Sequence, residues 1–546
     1  MKRFKSLRAF FINEVIYIIV IFADIYVHLK RGFNQKKINK DQEIAANDQL
    51  TKEYCQFNKK NLESVDIDGD KVILMDCFPV PMWMAANAVL VNCLSKKFNA
   101  KVHSFGERSR EPLVDVVYKS FHCNEHVILK ISNRSRKHLK ILFLDALKSI
   151  KSKNDLFHWK VDGIQIGDEV YESYLRAFNK PTVLMTDLKC WYSIYFALKY
   201  FIFFSEYFKH NSVVAAVLSH DTYVPTGILA KICWRFNVPV YLSNSIELKR
   251  TDYPDQKYME FSRYRHYFSI LSDDDKRKAL QWGKNQLQKR LGGEVGVNMA
   301  YSSKSAYTPT RIEKQTLETG KLKIVIATHC FYDNPRAYGG MIFNDFYEWI
   351  SYLGDISKIT DYDWYIKTHR DFLPGTADVI KELVKKYPKF KVINPETTWH
   401  QLRDEGVGVA LTCYGSIGHE LPLLGYKVIN VGYNPHIAYK FNWNINSLQD
   451  YKATLLGLRE LGEIRELDSI YEFYFVHYML SKKGGFLFSS YDEMNAYLKN
   501  PGTFSNKVFE HMISNSKEKY TKATDSINHF IESNRFSEAE LFIYGN

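Results

Sequence analysis

Short unbroken runs of apolar residues recur along the chain, separated by longer segments in which apolar positions return every three or four residues. Unbroken runs are typical of buried parallel strands, and the periodic segments are typical of helices packed on a sheet. The runs predict strands over residues 71–76, 101–105, 213–219, 238–242, 323–328, 364–368, 391–393, 407–411 and 428–431. Because strands and helices alternate, we expect right-handed parallel α/β sheets.

The alternation occurs twice and is interrupted by a polar stretch rich in Ser, Thr and Gly. The pattern therefore predicts two doubly wound, Rossmann-like domains that face a central crevice, with a helical extension at each end of the chain. Ligands of such folds bind beyond the carboxyl ends of the strands. The predicted segments are an N-terminal membrane-proximal helical part, an acceptor domain, a linker, a nucleotide-sugar domain and a C-terminal extension: 1–68, 69–300, 301–320, 321–495 and 496–546.

Composition narrows the class of protein. The chain has 546 residues, of which 46% are hydrophobic and 15% aromatic, enough for two packed cores and unlike a disordered protein. The net charge of +13 suits acidic partners such as nucleotides or anionic lipid. The basic residues are dispersed and no nucleic-acid-binding motif is present, so we expect no nucleic-acid partner. The eight cysteines form no C-x-x-C pair, which indicates reduced, buried residues of a cytoplasmic protein and no zinc site.

The segment from Ala9 to Leu29 is apolar and aromatic, but polar residues such as Glu14 and Asp24 interrupt it. A membrane-spanning helix needs about 20 predominantly apolar residues, and basic residues flank this segment on both sides. Three alternatives remain open: contact with a membrane interface, packing on the protein itself, and a span. We expect a cytoplasmic protein, peripheral on the inner face of the inner membrane.

Residues 407–431 have the pattern strand, glycine turn, helix, strand. The turn Gly415-Ser416-Ile417-Gly418 would open a helix, whose free amides and positive dipole end favour phosphate. Glu420, in the first turns of that helix, is placed to reach ribose hydroxyls. An ordinary βαβ turn is the alternative.

Two other predicted strands end in side chains suited to phosphate. One is followed by Lys367, His369 and Arg370, and the other by His329. With Tyr414 at the glycine turn, three strand ends would converge on one pocket, where a Lys, a His and an Arg could hold the leaving phosphate. A solvated loop is the alternative for residues 367–370.

The sequence "IKTH", followed by "YGSIGHELPLLGYKVINVG", resembles the nucleotide-sugar half of GT-B glycosyltransferases. Within that class it is most similar to bacterial capsule and surface-polysaccharide proteins, which include transferases of 3-deoxy-octulosonic acid (Kdo). The resemblance extends over about residues 70 to 490 and includes residues 162–176 and 219–223. It implies that His369 contacts the donor phosphate or nucleotide, that Gly415 and Ser416 cradle phosphate, and that Glu420 contacts ribose. CMP-sugar enzymes usually have Pro after that His, whereas this chain has Arg370.

A general base would belong to the first half, near the acceptor hydroxyl. Asp221, the first choice, and His220 follow the most apolar strand of that half, and Asp168 is the next candidate. The alternatives are structural: Asp221 as a helix cap, His220 as a strand-end residue, and Asp168 in a capped helix.

The sequence thus predicts a metal-independent GT-B glycosyltransferase without a cofactor. It would move sugar from a nucleotide-sugar donor, CMP-Kdo-like or another NDP-sugar, to a bacterial surface polysaccharide or lipid-linked glycan. The D-x-D sequences at Asp68 and Asp361 precede strands and are interpreted as turns, not metal sites. The alternatives are a nucleotide-sugar epimerase on the same scaffold and a non-catalytic scaffold protein of a glycan assembly complex.

Overall fold

The computed structural model describes residues 2–62, 67, 69–123, 125–243, 248–299, 303–308, 311–369, 374–480, 507–514, 516–536 and 540. For residues 2–11, 31–37, 257 and 516–520 only the backbone is described. The chain divides into two compact units. Unit 1 comprises Met1–Phe178, Val183–Pro254 and Lys483–Asn546, and unit 2 comprises Asn179–Thr182 and Asp255–Lys482.

Unit 1 is built on a sheet of strand order β3-β2-β1-β6-β7-β8. Its strands are β1 Lys71–Asp76, β2 Lys101–Gly106, β3 Glu125–Ile128, β6 Ser212–Leu218, β7 Val240–Ser243 and β8 Leu248–Thr251, and a separate hairpin consists of β4 Lys160–Val161 and β5 Ile164–Gln165. Its helices up to residue 235 are α1 Lys2–Asn47, α2 Gln49–Asn61, α3 Pro81–Phe98, α4 Pro112–Ser120, α5 Asn133–Ser149, α6 Lys153–Phe157, α7 Gly167–Phe178, α8 Leu188–His210 and α9 Ile228–Arg235, with a π-helical turn at Tyr223–Gly227.

Unit 2 has the strand order β11-β10-β9-β12-β13-β14. The strands are β9 Leu322–Ala327, β10 Tyr362–Lys367, β11 Phe390–Val392, β12 Val407–Thr412, β13 Lys427–Val431 and β14 Trp443–Ile445. The helices are α10 Gln256–Ser262, α11 Tyr264–Ser269, α12 Asp273–Leu291, α13 Phe346–Ile359, α14 Thr376–Lys386, α15 Trp399–Asp404, α16 Ile417–Glu420, α17 Leu448–Leu456 and α18 Ser469–Tyr478, with 3₁₀ turns at Leu421–Leu424 and Leu458–Glu460. The last helices, α19 Lys507–Ser514 and α20 Ser516–Ser533, return to unit 1.

The unbroken apolar runs form strands because both faces of each sheet are covered. In β9, Ile324 and Ile326 belong to one hydrophobic cluster and Val325 to the cluster on the other face. Successive side chains of a strand point to opposite faces, so a strand buried on both sides has no polar alternation. The parallel α/β architecture expected from the sequence is therefore observed in both sheets.

Among the described residues, the two sheets contain three strands that the apolar runs did not predict, β3, β8 and β14, and two further details differ from the expectations. Strand β8 runs antiparallel to β7. The two strands are only four residues apart in sequence, which is too few for the crossover that a parallel pair requires. Residues 303–320 lie within unit 2, where the backbone amide of Thr316 bonds Glu405, and the unit boundary falls at Pro254. The helix after the glycine turn has one α-helical turn, since Pro422 lacks an amide hydrogen and a 3₁₀ turn continues to Leu424.

Helix α1 packs against unit 1 along one face. Val20 is 1% exposed, and a buried ion pair joins Asp24 to Lys199 of α8 at 2.9 Å. The segment Ile12–Lys30 is long and apolar enough to cross a membrane by length and composition, yet one face of it belongs to the unit 1 core.

Candidate functional site

The carboxyl ends of three adjacent strands of unit 2, β10, β9 and β12, border one cavity of about 280 Å³. In a parallel sheet these ends share one edge, which is why residues far apart in sequence meet there. The cavity is lined by most of the residues predicted to bind the donor: His329, Lys367, His369, Tyr414, Gly415, Ser416, Ile417 and Glu420. Arg370 lies outside the described residues, and its role stays a prediction.

His329 forms the floor of the cavity as a neutral imidazole. Its Nε2 accepts the backbone amide of Cys413 at 3.2 Å and lies 3.0 Å from the hydroxyl of Thr412. The ring stacks on Phe346, with centroids 4.7 Å apart. Burial, and to a smaller extent the neighbouring His369, lowers the pKa of His329 to about 3. His329 therefore acts as a rigid, uncharged part of the wall at neutral pH.

Glu420 is held in the wall by two residues that the sequence pattern did not single out. Its Oε1 accepts from Arg290 Nε at 2.5 Å, and its Oε2 accepts from the hydroxyl of Tyr307. Burial and the Glu420 carboxylate raise the pKa of Tyr307 well above its usual value, so the phenol remains a donor. Arg290 lies near the end of the predicted acceptor domain and Tyr307 lies in the predicted linker, and neither belongs to a predicted strand or a sequence motif.

The end of β10 supplies polar groups at different depths. Lys367 is 3% exposed, donates from Nζ to the Pro395 carbonyl at 3.1 Å and lies over the ring of Trp399. The hydroxyl of Thr368 is buried and has no hydrogen-bond partner among the described residues. His369 is exposed at the cavity. An unsatisfied buried hydroxyl is costly, and a ligand or water in the cavity could satisfy it.

The glycines of the turn have different surroundings. The Gly415 amide donates to Thr412 Oγ1 at 3.1 Å, and Gly415 lines the cavity. Gly418 does not line it; a Cβ there would lie 2.4 Å from Cε1 of His436, so this glycine permits close packing. The backbone amides of Gly418 and His419 donate to carbonyls within the turn, those of Gly415 and Ser416. The backbone amides that a ligand could use are those of Ser416 and Ile417.

Aromatic rings and cations complete the lining. Tyr338 packs edge-on against Tyr414 with centroids 4.9 Å apart, and Trp399 is 4% exposed. Lys304 lies at the rim, 3.5 Å from Glu396. Such a mixture of rings, amides and cations suits a ligand with both a flat apolar part and an anionic part. Within the described ranges, no group of three or more His, Cys, Asp or Glu is placed to hold a metal ion.

The three candidate bases in unit 1 have unlike environments. Asp168 is 5% exposed and lies 2.5 Å from Lys231 Nζ, which also pairs with Glu169 at 2.9 Å. Asp221 is 8% exposed in the turn after β6. His220, in the same turn, is exposed. Asp168 thus has the geometry of a buried structural ion pair, whereas His220 is accessible to a substrate.

No protein-family model and no curated protein matches the chain. Among solved structures, it is similar to Thermosulfurimonas dismutans KpsC, a beta Kdo 2,4 transferase, with 12% identity and a TM-score of 0.28 over 48% of this chain and 79% of that one. It is also similar to UDP-GlcNAc 2-epimerase from Neisseria meningitidis, with 9% identity and a TM-score of 0.20 over 85% of this chain and 100% of that one. Both similarities are too distant to assign an activity.

Proposed function

We propose that the chain is a GT-B glycosyltransferase that moves a sugar from a nucleotide-sugar donor to a bacterial surface polysaccharide or lipid-linked glycan. The observation that carries the proposal is the convergence of three strand ends of unit 2 on one cavity with cationic, amide and aromatic groups. The sequence resemblance of the same strand ends to the nucleotide-sugar half of GT-B enzymes supports it.

The anionic part of the donor would lie against the ends of β10 and β12. Lys367 and His369 are the cationic or hydrogen-bonding side chains there, and the amides of Ser416 and Ile417 are the backbone donors. The Thr368 hydroxyl supplies a further polar group that has no partner among the described residues. Charge-assisted hydrogen bonds of this kind are about twice as strong as neutral ones.

The nucleoside part would lie nearer Glu420. Each carboxylate oxygen can accept about two hydrogen bonds. The bonds from Arg290 and Tyr307 therefore fix the Glu420 carboxylate and leave it capacity for a ribose hydroxyl. The rings of Tyr414 and Tyr338 offer stacking surfaces for a base.

Catalysis in this proposal consists of positioning and of stabilising the leaving phosphate. The bond between the anomeric carbon and the phosphate oxygen breaks, and negative charge grows on that oxygen. Donors already fixed by the fold stabilise this charge without reorganising, which is the source of their catalytic effect.

Nucleotide binding to matched variants tests the proposal. Thermal shift and titration calorimetry with CMP, UDP, GDP and dTDP, and with their sugars, identify the nucleotide. His369→Ala is expected to weaken its binding about tenfold or more, the scale of a lost hydrogen bond to a charged group. Asp361→Ala is the control. Asp361 is exposed, forms an ion pair with Lys321 and immediately precedes the amino end of β10, whereas the cavity lies at the carboxyl end.

Equal affinity in the His369→Ala protein and the parent contradicts the donor site. The reaction class is decided by incubating the bound nucleotide-sugar alone and with glycan acceptors. Release of free nucleotide that depends on an acceptor supports a transferase. An interconverted sugar indicates the epimerase alternative, and an unchanged donor under all conditions indicates the scaffold alternative.

We further propose that α1 rests on the cytoplasmic face of the inner membrane. The two acidic residues of its apolar segment face the protein: Asp24 pairs with Lys199, and Glu14 pairs with Lys140 at 2.8 Å. The opposite face exposes a row of large apolar residues, namely Ile12, Val15, Ile18, Ile19, Phe22, Ile25, Tyr26 and Leu29. A helix docked on its own protein with an apolar outer face, and flanked by basic residues in sequence, suits an interfacial position better than a span.

A further inference from the structure

The carboxyl edge of the unit 1 sheet carries a chain of hydrogen bonds between β1 and β6, which are neighbouring parallel strands. Asp76 ends β1, and its Oδ2 accepts both the backbone amide of Ser219, at 3.0 Å, and the Ser219 hydroxyl. Ser219 Oγ lies 3.0 Å from Nδ1 of His220. A carboxylate, a hydroxyl and an imidazole are therefore connected in sequence, from the buried end of β1 to an exposed ring.

The direction of these bonds sets the tautomer of His220. The Ser219 hydroxyl has one hydrogen, which it gives to Asp76, so its oxygen accepts from the Nδ1 hydrogen of His220. The neutral ring therefore carries its hydrogen on Nδ1 and its basic lone pair on Nε2. In this tautomer, Nε2 is the nitrogen that can accept a proton. Asp76 is only 5% exposed, so the carboxylate that accepts the Ser219 hydroxyl is held in place by the surrounding protein.

Of the three hydrogen-bonded residues Asp76, Ser219 and His220, Asp76 is the one that carries the negative charge. Burial raises the pKa of Asp76 to about 6, although hydrogen bonds from Ser219 act in the opposite direction. Two titratable neighbours, Cys77 and Tyr118, are kept neutral because burial raises the pKa of each well above its usual value. A negative charge on Asp76 stabilises the imidazolium that forms when His220 takes a proton.

Two aromatic rings flank His220. Phe78 lies with its ring centroid 5.4 Å from that of the imidazole, and the ring of Trp83 lies 6.5 Å away at an interplanar angle of 20°. Phe78 and Trp83 also contact each other edge-on at 5.1 Å, and both are half-buried. Aromatic faces beside a polar group suit a sugar ring, which has apolar C–H faces and hydroxyl edges.

We propose that this edge of unit 1 is the acceptor site, where Phe78 and Trp83 contact a sugar ring and His220 accepts the proton of its reacting hydroxyl. The inference rests on the proposed glycosyl transfer. The acceptor oxygen bonds the anomeric carbon, the bond from that carbon to phosphate breaks with its electrons leaving on the nucleotide, and the proton passes to His220 Nε2 and then to solvent. Asp76 and Ser219 are positioning residues.

Sugar binding is tested first, without donor. Saturation-transfer NMR of the full chain with the methyl glycosides of glucose, galactose and N-acetylglucosamine is expected to detect at least one of them. Trp83→Leu is expected to reduce that signal about tenfold. His210→Gln, which changes an exposed histidine at the end of α8, is the control and leaves the signal unchanged. If the parent binds none of the glycosides, or Trp83→Leu binds equally well, the acceptor site is wrong.

The role of Asp76 has a spectroscopic readout. In the histidine NMR spectrum, Asp76→Asn is expected to lower the pKa of His220, because a neutral amide replaces the carboxylate that stabilises the imidazolium. Ser219→Ala is also expected to lower the pKa of His220, and it keeps the hydrogen bond from the backbone amide of residue 219 to Asp76. An unchanged His220 titration in both variants shows that the hydrogen-bond chain does not position a base.

Transfer itself separates the two proposals. With a productive donor and acceptor, His220→Gln is expected to lower turnover by about a hundredfold or more, the scale of general-base catalysis. Nucleotide binding in unit 2 remains at the parental level. Near-parental turnover in His220→Gln contradicts the acceptor-site inference alone. Parental nucleotide affinity in His369→Ala contradicts the donor site in unit 2 instead.

Discussion

The two units have similar parallel sheets, yet their strand ends have different chemistry. In unit 2 the ends of β9, β10 and β12 surround a cavity with Lys367, His369 and the amides of a glycine turn. In unit 1 the ends of β1 and β6 carry the buried acid Asp76, connected through Ser219 to an exposed imidazole. The first arrangement suits an anion, and the second suits removal of a proton.

In both units the parallel sheet brings strand ends together at one edge. The side chains at those ends differ, and they determine which ligand or reaction the edge suits. Each unit also contains a buried ion pair: Arg290 with Glu420 in unit 2, and Lys231 of α9 with Asp168 and Glu169 of α7 in unit 1. Only the first borders the cavity. The two pairs therefore allow the structural and the functional contributions of buried charge to be separated.

The largest expected effect comes from removing the cation of either pair. Arg290→Met and Lys231→Met each leave buried carboxylates without their partner, and each is expected to lower the free energy of unfolding by about 3 kcal/mol. Arg290→Met should also weaken nucleotide binding, because Glu420 loses its anchor, whereas Lys231→Met should not. Denaturant unfolding and calorimetry measure the two effects. Equal nucleotide affinity in both variants would remove the distinction between the units.

The glycines of the unit 2 turn sharpen the location of the donor. Gly418→Ala places a Cβ 2.4 Å from the His436 ring and is expected to cost about 2 kcal/mol of stability through overpacking. Gly415→Ala places a Cβ 2.8 Å from Thr412 Oγ1 beside the cavity. We expect a lower nucleotide affinity in the folded Gly415→Ala protein and parental affinity in folded Gly418→Ala. The reverse order of affinities would place the ligand away from this turn.

The units should respond to acid with opposite signs. Burial lowers the pKa of His436 in unit 2 to about 3 from 6.5, so its contribution to stability is present above pH 6.5 and is lost as the pH falls. At pH 5 the loss is about 2 kcal/mol. His419, whose Nδ1 lies 3.0 Å from His436 Nε2, has a pKa lowered mainly by burial and acts in the same direction.

In unit 1, burial raises the pKa of Asp76 from 3.8 to about 6, so its contribution is full below pH 3.8 and is lost as the pH rises through 6. Unfolding measured between pH 7.5 and 4.5 should become less pH-dependent in His436→Gln and more acid-sensitive in Asp76→Asn. If the acid sensitivity of unfolding changed in the same direction in both variants, the opposite contributions of His436 and Asp76 would be contradicted.

The smallest expected effect concerns the outer face of α1. Phe22 is 66% exposed, and Phe22→Ser is expected to weaken binding to phosphatidylglycerol vesicles about tenfold, or about 1.5 kcal/mol, as one apolar side chain is lost from the interface. Ile359 of unit 2 is 65% exposed, so Ile359→Ser is a matched control. Co-sedimentation measures both. A parent that stays in the supernatant with these vesicles contradicts membrane contact.

The sequence predicted nine of the twelve strands that the structure describes in the two sheets, all except β3, β8 and β14, and much of the lining of the unit 2 cavity. Buried parallel strands need apolar residues on both faces, so unbroken runs such as 71–76 and 407–411 mark them directly. Residues that follow such runs must share one edge of a sheet. The sequence therefore predicts that His329, His369 and Ser416 lie together, and all three line the unit 2 cavity; ligand binding by them stays a prediction.

Only the tertiary structure decided which polar groups are partnered. Arg290 lies on a polar helix and Tyr307 in an irregular segment, so no periodic pattern connects them to Glu420. Asp168 and His220 are both polar residues near predicted elements, yet one is buried against Lys231 and the other is exposed. Partners distant in sequence and the degree of burial arise from packing, because side-chain pairing depends on three-dimensional proximity that local sequence patterns do not encode.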